Sequence, residues 1–382
     1  MDTETMANEG ASAADAMPVI SWDWYRDPRV LEVEERRLFR SSWQYVGPLE
    51  RLSRPGDHVV GRVSRVPVVV VRDGDGELRG FLNVCRHRGS LIAADDGNSP
   101  RLRCPYHAWT YNLDGTLRSA PQCGPRIEAE FPALGLVPVR VATFGPFAFT
   151  NLSADGPPLE AVLGDLAEII AGVGIDLGGL RLRQRFAYEL AANWKIHLEN
   201  YLECYHCPVA HPGFSSVMDV SPGRYELTAT AYRLSHRAPV RQSPTSSSYS
   251  AAGSVTAGSY HLLLPNVKIN INPGRQNLSI GPVYPDGVAK TTGFLDYYFG
   301  ADADDAWIEE MMAFDTDVGN EDAALVAAAQ VGVSGSWIDR GRILPSERLL
   351  ADFQHHVHAA CADLLRVLVP GSDPGIPHGP RH

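Results

Sequence analysis

The chain has 382 residues, of which 44% are hydrophobic and 21% charged, and its formal net charge is −11. Its length predicts about two or three domains with well-buried cores, and the excess of 45 acidic over 34 basic residues argues against binding to a nucleic-acid backbone. The sequence has no apolar run of about 18 residues, no secretory start and too few cysteines for a disulfide scaffold, so we expect a cytoplasmic protein with no membrane partner.

The N-terminal part of the chain changes its pattern twice. Residues 1–17 are rich in Ala, Ser, Asp and Glu and are predicted to be disordered. From Trp22 to Trp43 the pattern is helical, because Val30, Leu31 and other apolar residues recur among charged ones. We therefore predict a helical segment over residues 18–44.

A small all-β unit is predicted over residues 45–155. The unbroken run Val68–Val71 indicates a strand. Asp114-Gly115 stands between alternating apolar residues and indicates a tight hairpin turn. Two more short strands are predicted on either side of Gly145-Pro146. Cysteines and histidines fall in the loops of this unit.

Residues 156–369 have the pattern of an α+β domain, and the tail 370–382 is predicted to be flexible. A Ser/Gly/Ala-rich stretch, Arg241–Tyr260, is long enough to be a lid, a binding loop or a disordered excursion. The predicted antiparallel strands are Tyr225–Leu234, Val267–Ile271 and Phe294–Phe299. The predicted helices are Asn193–His206, Asp304–Val331 and Ser346–Val369.

Two loops of the β unit each offer one cysteine and one histidine. Cys85 and His87 are spaced C-x-H, and Cys104 and His107 follow with the spacing C-x2-H. Four such ligands could hold zinc in a closed tetrahedral site or a [2Fe–2S] cluster with Cys on one iron and His on the other. Zinc knuckles usually pair like with like. The mixed pairs therefore favour the cluster, because each loop must supply one ligand to each iron.

The stretches CRHRG from Cys85 and CPYHAWT from Cys104 closely resemble the Rieske iron–sulfur domain. The family usually has Gly where this chain has Ala108, a minor departure. Respiratory Rieske proteins have an extra disulfide beside the cluster, but the matching positions here are Ser90 and Tyr106. The resemblance therefore implies a ferredoxin-type Rieske centre of lower potential.

A second group of ligand-type residues lies between Asn193 and Pro212. Glu203 and His206 are three residues apart and would share one helix face. Pro208 is expected to end that helix, so that His206 lies in its last turn and His211 in the following loop. Two imidazoles on one side leave room for a carboxylate, as in a 2-His-1-carboxylate iron(II) site. We place that carboxylate in Asn320-Glu321-Asp322, with Asp304, Asp305, Asp315, Asp317 and Glu321 as competing candidates.

The segment ENYLECYHCPVAH from Glu199 resembles the catalytic domain of Rieske-type non-haem iron oxygenases, the family of ring-hydroxylating oxygenase alpha subunits. The resemblance implies Asp322 as third iron ligand and Glu203 as an acidic bridge between a Rieske histidine and a ligating histidine. Ring-attacking relatives usually have Asp at the bridge. Glu is typical of the choline, glycine betaine and carnitine monooxygenase branch. The fold class is then α+β: a Rieske domain over 45–155 and a catalytic domain of 18–44 and 156–369, with a central antiparallel sheet flanked by helices.

The resemblance also implies the reaction. A [2Fe–2S] cluster and a mononuclear Fe(II) would activate O2, with NAD(P)H acting through a reductase or ferredoxin partner, in a homotrimer where His107 of one subunit meets Glu203 of the next. We expect a monooxygenase that hydroxylates or N-dealkylates a small substrate, with a quaternary ammonium compound as one candidate. An aromatic-acid or heterocycle hydroxylase or dioxygenase is the alternative within the family. An iron–sulfur electron-transfer protein and a zinc-stabilised binding module are the alternatives outside it.

Other conspicuous residues receive structural interpretations. The C-x2-C of Cys204 and Cys207 is interpreted as a coincidence inside a helix, and Cys123 and Cys361 as buried thiols. Arg241 or Arg275 could pair with a substrate carboxylate, although either is more often a surface charge. Three histidines of the last helix are predicted to lie at the surface or its boundary: His355, His356 and His358. The candidates for an aromatic cage around a cation, most of them expected in the core, are Tyr260, Tyr284, Tyr297, Tyr298, Phe299, Trp307 and Trp337.

Overall fold

The structure is a computed structural model that describes residues 19–221, 223–241, 249–335 and 337–368. The predictions for residues 1–17 and for the tail 370–382 lie outside the described residues. No helix of the described chain combines the length and the apolar character that a membrane span requires.

Two short helices begin the described chain, as the helical pattern predicted. They are α1 (Asp23–Arg26) and α2 (Pro28–Arg37). Asp27 caps α2, since its side chain accepts a hydrogen bond from the backbone N–H of Arg29, and Pro28 occupies the first helical position where no N–H is needed. The apolar face of α2 is buried against the last helix of the chain.

The first sheet has seven antiparallel strands in the order β1-β10-β9-β4-β3-β2-β5. Its strands are β1 (Gln44–Pro48), β2 (Asp57–Val63), β3 (Val66–Arg72), β4 (Leu78–Leu82), β5 (Gly97–Asn98), β9 (Pro138–Phe144) and β10 (Phe147–Asn151). A small second sheet consists of β6 (Leu102–Arg103), β7 (Thr110–Tyr111) and β8 (Leu117–Ser119), followed by a short helix, α3 (Gly124–Glu128). The predicted valine strand, the predicted hairpin at Asp114-Gly115 and the two predicted strands on either side of Gly145-Pro146 are confirmed.

The hairpin turn in which the Asn112 and Thr116 backbones pair requires glycine at position 115 for two reasons. The first is its φ of +86°, in the left-handed region that other residues avoid, and the second is the lack of space for a side chain. A Cβ at Gly115 would lie 2.4 Å from Cε1 of Phe81 in β4. The backbone of the turn at Gly115 therefore packs directly against Phe81 of the first sheet, with no space for a side chain.

The second large sheet is also antiparallel and forms the centre of the C-terminal half, in the order β11-β17-β16-β15-β14-β13-β12. Its strands are β11 (Arg181–Leu190), β12 (Glu226–Ala229), β13 (Arg233–Pro239), β14 (Ala257–Leu263), β15 (Val267–Ile271), β16 (Asn277–Pro285) and β17 (Thr291–Phe299). The helices around it are α4 (Leu159–Leu163), α5 (Leu166–Gly172), α6 (Trp194–Tyr201), α7 (Cys207–Ala210), α8 (Pro212–Val217), α9 (Asp305–Gly335) and α10 (Arg348–Leu368). The predicted fold class is confirmed.

The two faces of this sheet bury different kinds of residue. One face packs Val267, Ile269 and Ile271 against α4, α5 and the aromatic residues of β1 and β10. On the other face, Tyr260 and Tyr297 pack with apolar side chains of α9. The helix therefore covers a sheet face that the sequence pattern did not identify as buried.

Three predictions about the C-terminal half are wrong in detail. Tyr225–Leu234 is not one strand, because the chain turns at 230–232 and pairs β12 with β13 as a hairpin. The helix that starts after Asn193 ends at Tyr201, not at His206. Of the predicted lid Arg241–Tyr260, residues 242–248 lie outside the described residues, and Ala257–Tyr260 belong to β14.

The last helix is confirmed. Its buried stripe consists of Leu349, Phe353, Val357, Cys361 and Leu365. His355, His356 and His358 are exposed or at the boundary, as expected. Burial raises the pKa of Cys361 to about 12, whereas Cys123 is only half-buried.

Buried charged groups join α2, α6 and α10. Lys195 Nζ lies 2.6 Å from Oε1 of Glu34, and both side chains are at most 1% exposed. One turn further along α6, Glu199 accepts hydrogen bonds from Tyr25 Oη at 2.6 Å and from Gln354 Nε2 at 3.0 Å. These bonds connect the beginning and end of the chain to the helix that precedes the histidine pair.

Replacing Gly115 with Ala should destabilise the fold more than the same change at Gly76. Both glycines have a φ of +86°, so each alanine should cost about 1 kcal/mol or more from the backbone alone. At Gly76 a Cβ meets nothing within 4 Å, whereas at Gly115 it meets Phe81, which should add about 1–3 kcal/mol. Denaturant midpoints of both variants measure the difference, and equal losses would contradict the packing argument.

Glu199→Gln should flatten the pH dependence of stability. Burial raises the pKa of Glu199 from its ordinary 4.5 to about 7, so between these values the unfolded chain releases a proton that the folded chain keeps. The free energy of unfolding therefore falls as pH rises through this window, by up to about 3 kcal/mol. Urea midpoints at pH 5 and pH 8 should differ less in Glu199→Gln than in the wild type. The exposed Glu309→Gln is the control, and an unchanged pH dependence in Glu199→Gln would refute the assignment.

Candidate metal centres and active-site cavity

The two predicted cluster cysteines lie side by side in the core of the small β unit. Cys85 and Cys104 are each 2% exposed and their thiols interact directly. Burial raises the pKa of Cys85. At Cys104 burial acts in the same direction, but the backbone N–H groups of Tyr106 and His107 outweigh it and lower the pKa. The hydroxyl of Tyr111 lies 3.4 Å from Cys85 Sγ. Donors of this kind stabilise thiolate ligands.

The two ligand loops have the same backbone geometry. In each, the cysteine carbonyl accepts a bond from the residue four positions later, Gly89 or Ala108, and the cysteine N–H donates to the residue five positions later. Gly89 has φ +75° and Ala108 has φ +57°. Ala108, where the Rieske family usually has glycine, therefore adopts a left-handed conformation that glycine would adopt more easily.

The two predicted cluster histidines face each other at the surface. The ring centroids of His87 and His107 are 4.7 Å apart, and His87 stacks on Trp109 at 4.9 Å. In the described part of the chain, no three of the four residues bring ligand atoms within 4.8 Å of one another, whereas one tetrahedral zinc would place them about 3.6 Å apart. A buried cysteine pair and an exposed histidine pair therefore fit two irons better than one zinc.

The turn after α6 positions the second histidine group. Asn193 caps α6 by accepting a hydrogen bond from Lys195 N–H. After the helix ends, Cys204 and Cys207 form a disulfide across a tight turn. The interpretation of these cysteines as a coincidence inside a helix is therefore wrong. Pro208 does not end a helix either, because it lies in the first turn of α7.

Three ligand atoms converge at this turn, as the sequence predicted. His206 Nε2 lies 3.1 Å from His211 Nε2, and Asp322 Oδ1 lies 3.0 Å from His211 Nε2 and 3.5 Å from His206 Nε2. Ligands on one face of an octahedral metal at about 2.1 Å are about 3 Å apart. Among the described residues, no other set of three His, Cys, Asp or Glu ligand atoms is this compact. The competing acids Asp304, Asp305, Asp315, Asp317 and Glu321 are not part of it.

The remaining ring nitrogen of each histidine is held by a carboxylate. Glu203 bonds His206 Nδ1, and Glu321 Oε2 lies 2.7 Å from His211 Nδ1. Asn200 donates to Asp322 Oδ1 at 2.6 Å. Such contacts fix the orientation of a ligating imidazole and leave Nε2 free for the metal. From the sequence, Glu321 was predicted only as a competing ligand, although its place beside Asp322 was the available signal.

The charges at this centre favour a bound cation. Burial opposes protonation of His206, but Asp322 and Glu203 raise its pKa to about 9. Burial likewise opposes ionisation of Asp322, yet His206 and His211 lower its pKa below the ordinary range. The metal-free site therefore attracts protons, and a divalent metal ion could replace them.

The three ligand residues line a cavity of about 400 Å³ between α9 and the sheet. Aromatic rings surround it: Phe214 stacks on Phe314 with centroids 6.2 Å apart and lies 6.1 Å from Tyr260. Asp315 adds a carboxylate that accepts a hydrogen bond from Tyr297 Oη at 2.5 Å. The cavity is therefore mostly apolar, with a few charged groups at defined places.

Only two of the aromatic residues proposed for a cation cage line this cavity, Tyr260 and Tyr297. Phe299 and Trp307 are core residues, while Trp337 is fully exposed. The other two do not line the cavity either: Tyr284 donates to Arg62 O at 2.6 Å, and Tyr298 bonds Tyr45.

The arginines proposed to pair with a substrate carboxylate are committed elsewhere. Arg241 donates to Ser215 O, and Arg275 pairs with Asp304. Among the described residues, Lys268 in β15 is the only lysine or arginine that lines the cavity, and it was not predicted as a site residue. The available signal was a single lysine inside an apolar strand, in a chain with only three lysines.

Two family models match the chain. A Rieske [2Fe–2S] domain matches residues 42–144, which contain both ligand loops of the β unit. The catalytic domain of ring-hydroxylating alpha subunits matches residues 177–363, which contain His206, His211 and Asp322.

Curated relatives match over nearly the full chain. The carnitine monooxygenase oxygenase subunit of Acinetobacter pittii (strain PHEA-2) is 31% identical over 90% of this chain and 95% of its own length. The chloroplastic choline monooxygenase of Amaranthus tricolor is 30% identical over 88% of this chain and 75% of its own. A solved quaternary ammonium Rieske monooxygenase, studied for carnitine oxidation and inter-subunit electron transfer, superposes with a TM-score of 0.80 at 28% identity over 94% of this chain and all of that one.

Proposed function

The chain belongs to the Rieske non-haem iron oxygenases of the carnitine and choline monooxygenase type, and we propose that it oxidises a quaternary ammonium compound by hydroxylation or oxidative N-dealkylation. It is an O2-dependent oxidoreductase and the oxygenase subunit of a system that needs a reductase. The observation that carries the proposal is the compact set of two histidines and one aspartate at the edge of an aromatic cavity. The cytoplasm stays the predicted compartment.

We assign the Rieske cluster to Cys85, Cys104, His87 and His107. The two buried sulfurs would hold the inner iron and the two exposed imidazoles the outer one. Burial and the charges of His87 and Arg88 lower the pKa of His107, which favours the neutral imidazole that binds metals. When bound, the cluster supplies single electrons and the mononuclear iron activates dioxygen.

We assign the mononuclear iron to His206, His211 and Asp322. Three ligands on one face leave the opposite positions open toward the cavity, as a 2-His-1-carboxylate site requires. Glu203 and Glu321 hold the two Nδ1 atoms, so both imidazoles keep Nε2 directed at the metal position. The assignment of this iron site is therefore supported by the three ligand residues and by the two glutamates that orient the histidines.

The cavity suits a cation without N–H groups. A quaternary ammonium cannot donate hydrogen bonds, so aromatic faces and a nearby carboxylate are the groups that stabilise it. Phe214, Tyr260 and Phe314 supply the rings, and Asp315 supplies the negative charge. Similarity to carnitine and choline monooxygenases supports the same substrate class.

We propose a homotrimer in which the partner subunit's His107 approaches Glu203. His107 is exposed beside Tyr106, which is 56% exposed, and near Glu203 the side chains of Tyr205 and Val209 are 65% and 87% exposed. Large apolar groups exposed around both candidate centres are typical of covered interfaces. Glu203 would then be a hydrogen-bond acceptor shared by two histidines, one on each side of the subunit boundary.

Asp322→Ala should remove the mononuclear iron and spare the cluster. We expect the wild type to hold the two irons of the cluster plus one more, and the variant only the cluster pair with its acid-labile sulfide and unchanged visible spectrum. Turnover should be lost. Asp317→Ala, an exposed aspartate of the same helix, should keep all the iron. If the third iron stays in Asp322→Ala, or zinc without sulfide is found, the assignment is wrong.

Glu203→Gln should separate electron supply from product formation. With a surrogate reductase and NAD(P)H, the wild type should couple O2 uptake to oxidation of a quaternary ammonium compound. The variant should bind both metals but form product about 10- to 100-fold more slowly. The exposed Glu226→Gln is the control.

The same assay compares substrate classes: quaternary ammonium compounds, aromatic acids and N-methyl amines. O2 uptake coupled only to aromatic acids would overturn the proposed substrate, and normal turnover by Glu203→Gln would overturn the bridge. Light scattering of the same samples should give the mass of three chains. A monomer would exclude a shared bridge.

A further inference from the structure

The central strand β15 presents a polar face to the cavity. Val267, Ile269 and Ile271 point into the core on the other side of the sheet, so the alternating residues Lys268 and Asn270, and Asn272 just beyond the strand, line the cavity. The two asparagines have partners: Asn270 accepts from Tyr201 Oη at 2.8 Å and Asn272 from Tyr260 Oη at 2.9 Å. The ammonium of Lys268, by contrast, has no oxygen atom as a hydrogen-bond partner among the described residues.

Lys268 is a buried ammonium without an anionic partner. It is 7% exposed, and no carboxylate of the described chain lies within 4.0 Å of its Nζ. Its contacts are His197 Nε2 at 3.2 Å and the rings of Tyr188 and Tyr201, with centroids 5.2 and 5.3 Å away. Burial lowers the pKa of Lys268 to about 8, while the more distant Asp322 and Asp315 oppose this. An unpaired buried charge is costly, which points to a partner that arrives with the ligand.

The groups around Lys268 are also donors without acceptors. Because an ammonium can only donate, His197 must accept at Nε2 and carry its own proton on Nδ1. That Nδ1 and the Tyr188 hydroxyl are buried and have no hydrogen-bond partner among the described residues. His197 is neutral, since burial and Lys268 lower its pKa well below the ordinary range. His197 Nδ1 and the Tyr188 hydroxyl therefore lack an acceptor, and the Lys268 ammonium beside them has only the neutral His197 Nε2.

We propose that Lys268, His197 and Tyr188 form a carboxylate-binding subsite, and that the substrate is a zwitterion with a quaternary ammonium group and a carboxylate. The inference rests on the proposed function and deepens it. A carboxylate offers several acceptor positions on two oxygens and a full negative charge, which satisfies all three donors at once. A quaternary amino alcohol would leave the ammonium of Lys268 unpaired and be repelled by it.

The cavity has opposite charges at two places along the strand. Asn272 lies four residues beyond Lys268, a distance of about 13 Å along a strand, and its Nδ2 is 3.4 Å from Asp315 Oδ1. Asp315 lies in the same aromatic cluster as Phe314 and Tyr260. A short-chain trimethylammonio carboxylate is shorter than this spacing, so its carboxylate could contact Lys268 while its ammonium lies among the aromatic rings of the cavity wall, on the side toward Asp315.

The test compares matched ligands on the iron-loaded enzyme. The probes are trimethylammonio carboxylates of two to four carbons, the trimethylammonio alcohol, and the phosphate monoester of that alcohol. The wild type should prefer a carboxylate over the alcohol by about tenfold or more in kcat/KM. Lys268→Met should lower kcat/KM for the carboxylate by about 10- to 100-fold, mainly through KM, and leave the alcohol unchanged or improved.

Controls and binding measurements make the result decisive. Lys290→Met removes an exposed lysine of the same domain and should change nothing. Calorimetric binding of the carboxylate should weaken in Lys268→Met and recover in part in Lys268→Arg. If Lys268→Met does not fold, the wild-type preference and competition by a plain short-chain carboxylate decide the matter.

Equal losses for carboxylate and alcohol, or a wild type that prefers the alcohol or the phosphate ester, would overturn the subsite while leaving a quaternary ammonium oxygenase intact. Absence of coupled O2 uptake with every quaternary ammonium probe would instead overturn the proposed function itself.

Discussion

Two imidazole nitrogens and one carboxylate oxygen, from His206, His211 and Asp322, lie within 3.5 Å of one another at the edge of a cavity. Groups of this kind do not gather in an apolar interior unless something compensates their desolvation. Here Glu203 and Glu321 hold the far side of each imidazole, and the whole set carries more negative than positive charge. A divalent metal ion is the partner that balances it.

The surrounding architecture keeps this cluster in place. Asp322 and Glu321 come from the middle of α9, while the histidines come from short helices that follow α6. The position of α6 is fixed by the buried pair of Lys195 with Glu34 and by the bonds of Glu199 to Tyr25 and Gln354. Those partners lie near the two ends of the described chain. Both ends of the described chain therefore help to hold the helix that precedes the two histidines.

The cavity combines two requirements that oppose each other. An aromatic wall with Asp315 suits a cation, whereas Lys268 would repel one that carried no negative group. The two charges lie near opposite ends of β15, because Lys268 belongs to the start of the strand and Asp315 of α9 contacts Asn272, just beyond its end. Selectivity in this chain therefore depends on charge placement as well as on shape.

The sequence by itself determined the family and the local chemistry. Both ligand loops of the Rieske domain could be identified because each is a short, contiguous segment whose spacing reflects the two-iron geometry, and His206 and His211 are only five residues apart. The carboxylate was harder, since Asp322 lies 111 residues beyond His211 and no spacing rule reaches that far. Its choice depended on family resemblance.

Only the tertiary structure decided what the remaining residues do. The end of α6 at Tyr201, the disulfide of Cys204 with Cys207 and the contact of Glu321 with His211 follow from packing of α6–α8 against α9. Lys268 was missed because a polar residue in an alternating strand is expected to face water. Here α9 covers that face, so the same alternation places a lysine inside the cavity. Sequence periodicity shows which residues share a face, but only the fold shows what lies opposite it.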